Sequence, residues 1–214
     1  MRIFIVENHP DTLRSLEMYF KTLGHSVTTA TSMQAALAAI PTQDCDVLVS
    51  DIGLSDGDGW QLMEQVQFPR PVYAVAMSGF AAESDLARSK AAGFRQHIIK
   101  PFGTEDLREV LKEAANEIEA RTTEMPAQSI SPPGRENHAA RTEAGLTPGQ
   151  IADRLHHASC QHLVSAQLLL GVVRLQLPPD AVQVRQLVEK VVGALDEVGA
   201  ELAELMKELR TSAH

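Results

Sequence analysis

Apolar residues in the first half of the chain fall in short runs, and nearly every run ends in a polar or charged side chain. Arg2–Val6, Ser26–Ala30, Val47–Ser50, Pro71–Met77 and Gln96–Ile99 read as strands. The stretches between them carry helical spacing instead. Leu13, Leu16, Tyr19, Phe20 and Leu23 give the first, opening at Pro10 or Asp11, an apolar face that Gly24 stops. Further helices are predicted over Met33–Ile40, Trp60–Val66 and Ala82–Ala92, the last closed by Gly93, and from Thr104 to about Ala120. Five strands alternating with five helices over residues 1–120 predict an α/β fold, a five-stranded doubly wound parallel sheet.

The pattern then changes twice. Over 121–146 apolar periodicity gives way to Pro, Ser, Gly and charges, as in Ser131-Pro132-Pro133-Gly134, which reads as a linker. From Thr147-Pro148-Gly149-Gln150, a capping box with proline at the first helical position, periodicity returns in two long helices over 147–211. The first carries Ile151, Leu155, Ala158, Leu163, Ala166, Leu169 and Val173. After Pro178-Pro179, the second carries Val184, Leu187, Val191, Leu195, Val198, Leu202, Leu205 and Leu209. A single hairpin does not bury such stripes, so a homodimeric four-helix bundle through the C-terminal helices is expected.

Composition narrows the possibilities. A net charge of -9 without a clustered basic patch argues against nucleic-acid binding. Two cysteines give no disulfide framework and fit a reducing cytoplasm. Met1-Arg2 leads straight into the apolar run Ile3–Val6, a first strand rather than a leader, and no run approaches the ~20 residues of a membrane span. A cytoplasmic protein without a membrane segment is expected.

The strand ends hold the candidate chemistry. A parallel sheet brings the carboxyl ends of its strands to one edge, so Glu7, Asn8, Asp51, Ser78 and Lys100 converge. Asp51 is followed by the glycine-rich turn Gly53-Leu54-Ser55-Asp56-Gly57-Asp58-Gly59. Carboxylate and amide oxygens suit Mg2+, a hydroxyl and an ammonium suit phosphoryl oxygens, and Asp51 is the candidate nucleophile for an acyl phosphate. These motifs, with Val6-Glu7-Asn8, Met77-Ser78-Gly79 and Ala92-Gly93-Phe94 leading to Lys100-Pro101-Phe102, resemble the receiver domain of two-component response regulators. The resemblance implies a flavodoxin-like fold and phosphorylation of Asp51 by a sensor histidine kinase. It also implies Mg2+ held by Glu7, Asn8, Asp51 and the Gly53 carbonyl, with Ser78 and Lys100 on the phosphoryl group. Asn8 stands where the family usually has a second acid, which predicts weaker metal affinity. Ser55 replaces a usual proline. His97 stands at the family's switch aromatic, either in that role or as a half-exposed strand histidine.

In the first C-terminal helix, Ile151-Ala152-Asp153-Arg154-Leu155-His156-His157-Ala158-Ser159-Cys160-Gln161 resembles the dimerisation and histidine-phosphotransfer helix of sensor histidine kinases. The resemblance implies that His156 is a phosphoacceptor and that Gln161 positions water for dephosphorylating an aspartate. His157 replaces the family's acid, and no nucleotide-binding segment follows the hairpin, so a self-sufficient kinase is not expected. His157 and Gln161 are four apart and share a helical face. Two expectations stand side by side. One is a phosphorelay protein whose hairpin transfers phosphate through His156 or acts as a phosphatase through Gln161, with a downstream response regulator or phosphotransfer protein as a candidate partner. The other is a response regulator whose hairpin serves only dimerisation and protein interaction. A DNA-binding output is excluded by two long helices without a basic recognition face.

Overall fold

The structure, a computed structural model, describes residues 1–79, 82–123 and 148–211, the side chains of 122–123, 148–155 and 206–211 excepted. The linker beyond Thr123, the Thr147–Gln150 capping box and the side chains of Ile151, Leu155 and Leu209 lie outside the described residues.

Five strands, β1 (Arg2–Val6), β2 (Ser26–Ala30), β3 (Val47–Asp51), β4 (Tyr73–Ser78) and β5 (Gln96–Ile99), form one sheet in the order β2-β1-β3-β4-β5, every pair parallel. Helices α1 (Pro10–Thr22), α2 (Met33–Ala39), α3 (Gly59–Gln65), α4 (Glu83–Ala92) and α5 (Thr104–Thr123) connect and follow the strands. The predicted helix over 33–40 closes one residue early, and Ile40–Thr42 tightens into a 3-10 turn at Pro41. Gly93, at φ +101, ends α4 in the left-handed region that glycine tolerates.

Strand alternation divides the core. Ile3, Ile5, Val47, Val49, Val75 and Met77 face α1 and α5, while Phe4, Val6, Leu48, Ala74 and Ala76 face α2, α3 and α4. Both faces are covered, which is why the central strands read as near-continuous apolar runs.

The two C-terminal helices are α6 (Pro148–Gln176) and α7 (Val182–Thr211). The hairpin does not stand apart from the sheet domain. Val164, Leu168 and Val172 of α6 are buried in the same cluster as Leu13, Leu16 and Phe20 of α1. Arg174 extends the seat, 2.8 Å from Glu105 on α5 and 3.3 Å from Glu189 on α7. This departs from the expected seam. Of its residues, Ala158, Leu169 and Val173 are exposed, and the face one position away is the buried one. The helix carries apolar residues on two stripes, and its periodicity does not say which stripe meets the neighbour within the chain. On α7, Val184, Leu187, Val191, Val198 and Leu205 are all exposed, Leu187 by 61%.

No helix among the described residues is long and apolar enough to cross a membrane.

Candidate active site

Asp51 is the last residue of β3 and is 1% exposed. Its Oδ1 accepts from the Gly53 amide at 3.2 Å, and its Oδ2 accepts from Lys100 Nζ at 2.9 Å. The same ammonium donates to Glu7 Oε2 at 2.9 Å. Lys100 follows β5 and Glu7 follows β1, so three strand ends at one edge of the sheet supply a wholly buried carboxylate–ammonium–carboxylate group, with the lysine side chain reaching across from beyond β4. One ammonium does not neutralise two carboxylates. Burial, with Asp51 adding to it and Lys100 opposing, pushes the Glu7 carboxyl up from its ordinary 4.5 to about 7. Burial also works against the charge of Lys100, but Asp51 and Glu7 outweigh it and hold its pKa above the usual lysine value.

Next in sequence to Glu7, Asn8 has its Oδ1 buried without a hydrogen-bond partner among the described residues. A buried amide oxygen left unsatisfied next to excess negative charge is what a hard, oxygen-seeking cation would complete, so the residues present fit Mg2+. Ser78, the last residue of β4, is buried at the same edge. Gly59 makes the turn possible: a Cβ there would lie 2.6 Å from the Asp51 carbonyl oxygen. The turn runs into α3 through a reciprocal capping box between Asp58 and Gln61. His97, on β5, is tied to the helices behind the site, because Ser89 Oγ lies 2.8 Å from His97 Nδ1 and accepts from Trp60 Nε1 at 2.8 Å.

Helix α6 closes the site from outside. A cleft of about 280 Å³ is lined by Asp51, Gly53, Trp60, Ser78 and Gly79 of the sheet domain and by His157 of α6. Gln161 is fully buried. Its Oε1 accepts from Thr12 Oγ1 at 2.6 Å, and its Nε2 lies 3.5 Å from Asp51 Oδ2 and 3.3 Å from His157 Nε2. The amide orientation follows from charge: flipped, its carbonyl oxygen would face the Asp51 carboxylate. Burial lowers the His157 pKa, against the pull of Asp51, which keeps the imidazole in its neutral form.

His156 lies just outside this arrangement. It is 5% exposed, with Nε2 2.9 Å from the Gly79 carbonyl oxygen. A carbonyl only accepts, so that nitrogen carries the proton. Cys160 lies one turn on, with Sγ 3.7 Å from the Lys100 carbonyl, and burial pushes its thiol up to about 11. Asp51, Lys100, Glu7 and Gln161 therefore meet in one place, with Ser78 beside them. His156 sits at the rim, and His157 rather than His156 faces the cleft. Thr12, which orients Gln161, carries no signal in the sequence beyond its place in the first turn of α1.

A profile described as the response regulator receiver domain matches residues 3–112, about half of the chain. The chain is similar to the KDP operon transcriptional regulatory protein KdpE of Escherichia coli, 28% identical over 151 residues that cover 68% of this chain and 67% of that protein. It is also similar to the virulence sensor protein BvgS of Bordetella pertussis, 29% identical over 140 residues, 62% of this chain but 11% of BvgS. Among solved structures, a CheY-like receiver domain protein from Methanospirillum hungatei is 30% identical with a TM-score of 0.53, covering 56% of this chain and 96% of that one. A two-component response regulator from Clostridium difficile shares the fold at 24% identity and a TM-score of 0.53, covering 55% and 98%.

Proposed function

Because this chain belongs to the response regulator receiver family, we propose that it accepts a phosphoryl group on Asp51 from a sensor histidine kinase and carries in its own hairpin the group that helps remove it. A carboxylate oxygen of Asp51 attacks the phosphorus of a phosphohistidine, and the N–P bond breaks as the O–P bond forms. Lys100, already held between Glu7 and Asp51, supplies a cation to the phosphoryl oxygens, and the Ser78 hydroxyl a neutral donor. Glu7, Asn8 Oδ1, Asp51 and the Gly53 carbonyl would hold Mg2+, which neutralises charge on the phosphoryl group when bound.

The observation that supports a role for the hairpin is the buried Gln161 amide, 3.5 Å from Asp51 Oδ2 and oriented by Thr12. An amide held at the acyl phosphate orients a water molecule for attack. The water oxygen bonds to phosphorus, the Asp51 O–P bond breaks, and inorganic phosphate and the free carboxylate result. Transfer through His156 is less favoured by the contacts, because its Nε2 proton is committed to Gly79. The exposed stripe of α7 supports dimerisation through the C-terminal helices, which leaves the Asp51 face of α6 on its own receiver.

The test charges the protein with an acyl phosphate in Mg2+ and follows the label. Asp51→Asn takes up none. Gln161→Ala still takes up label on Asp51 and holds its phosphoryl group about tenfold longer or more. An unchanged lifetime would make the hairpin an interaction module only, and alkali-stable label that depends on His156 would make it a transfer station.

A further inference from the structure

On the α1 side of the cleft, a second set of ligating side chains comes together from both parts of the chain. His9 is the N-cap of α1, Asp11 lies in its first turn, and His162 is the neighbour of Gln161 on α6. One ligand atom of each lies within 4.8 Å of the other two. The two imidazoles meet edge to face, their centres 5.6 Å apart at 84°. The phosphoryl chemistry uses none of the three.

We propose that His9, Asp11 and His162 bind a divalent transition-metal ion such as Zn2+, which fastens α6 to the receiver over Asp51. Two imidazoles and one carboxylate form a donor set that suits Zn2+, Co2+ or Ni2+ rather than Mg2+, with the remaining position left to water. Bonds of about 2.0 Å in a tetrahedral site set ligand atoms about 3.3 Å apart. The ligand atoms lie within 4.8 Å of one another, and Asp11 and His162 are both exposed, so small side-chain rotations would bring them to that spacing. Asp11 also offsets the positive end of α1, which alone would repel a cation.

The His9 ring is already steered. Its Nδ1 accepts from the Thr12 amide at 3.4 Å and lies 3.2 Å from Thr12 Oγ1, which directs Nε2 away from the helix. A metal on Nε2 moves the ring proton to Nδ1, which then gives up the long Thr12 amide contact and donates to Thr12 Oγ1 instead. The Thr12 hydroxyl then donates to Gln161 Oε1, the short 2.6 Å contact, and Gln161 Nε2 faces Asp51. Metal occupancy thus locks the hairpin in place and fixes the amide at the phosphorylation site through one side-chain hydroxyl.

The proposal rests on the seat of α6, not on the chemistry assigned to Gln161. Its test uses the full chain without an affinity tag, in millimolar Mg2+, with Zn2+ titrated against a chromophoric chelator. Wild type and His25→Ala bind one equivalent alike, while His162→Ala and Asp11→Asn lose about tenfold or more in affinity. With Co2+, the visible bands of a four-coordinate ion appear in wild type and not in His162→Ala. Gln161→Ala retains the Zn2+ equivalent whatever happens to its phosphoryl lifetime, which separates this site from the proposed function. An equivalent held no more tightly than Mg2+, or binding unchanged in His162→Ala, overturns the proposal.

Discussion

Gly171 packs α6 closely against Thr104 of the receiver, and enlarging it should push the two apart. A Cβ built there would overlap Thr104 Cγ2 and lie 3.3 Å from Thr104 Cβ. Thr104 opens α5 and is itself buried, with its carbonyl accepting from the buried Tyr19 hydroxyl at 3.0 Å, so it has little room to yield. What holds α6 down is the burial of Val164, Leu168 and Val172, worth roughly 2 kcal/mol each before the entropy of docking is subtracted. Overpacking a close contact costs about 1–3 kcal/mol. A cost of about 2 kcal/mol moves the docked-to-undocked ratio about thirtyfold. Gly171→Leu also gains about 1 kcal/mol of helix propensity, so the control is Gly193→Leu on α7, where an added Cβ meets nothing among the described residues within 4 Å. The assay is emission from Trp60, the single tryptophan, which lines the cleft with His157, together with hydrogen exchange along α6. Gly171→Leu should red-shift the emission and speed exchange, and Gly193→Leu should do neither. Identical spectra and exchange in both variants would refute the argument that this contact seats the hairpin.

Other outcomes follow from the same geometry. Glu7 is raised from 4.5 to about 7, so the folded chain keeps a proton that the unfolded chain releases across that window. Without Mg2+, that contribution, about 3 kcal/mol, is full below about pH 4.5 and is lost as pH rises through about 7. Urea midpoints against pH should show the loss, and Mg2+ should restore stability above pH 7; a midpoint indifferent to Mg2+ at pH 8 would contradict the cation site. Lys100→Met leaves two buried carboxylates without their cation and should destabilise the fold by about 3–5 kcal/mol in denaturant titration, with loss of phosphoryl uptake. Asn8→Asp should tighten Mg2+ binding, read as a lower half-saturating Mg2+ concentration for acyl-phosphate uptake. Leu187→Lys on the exposed stripe of α7 should shift the chain toward monomer in equilibrium sedimentation while leaving phosphoryl uptake unchanged.

The receiver was legible because its chemistry sits at strand ends. Once the runs ending at Val6, Ser50, Met77 and Ile99 read as parallel strands, Glu7, Asp51, Ser78 and Lys100 had only one edge to share. The seat of α6 was not legible. Val164, Leu168 and Val172 on one stripe and Leu169 and Val173 on another are equally apolar, and which stripe meets α1 depends on a surface far away in the sequence. The i, i+4 pairing of His157 with Gln161 was visible, and the two lie 3.3 Å apart. That the pair points into the cleft followed only from the docking. His9 carried no motif at all: it serves as a helix cap, and its partner His162 comes from more than 150 residues away.

The burial of Asp51 beneath its own hairpin has a kinetic consequence. In the proposed function, a sensor kinase would have to bring its phosphohistidine up to Asp51, beside which Gln161 and His157 now lie. The incumbent is covalently attached, so it rebinds at an effective concentration of order millimolar, whatever the concentration of the protein. An external donor therefore sees only the open fraction, and its apparent affinity is reduced in proportion. On that proposal, signal strength would be set less by how tightly the kinase binds than by how often the hairpin lets go.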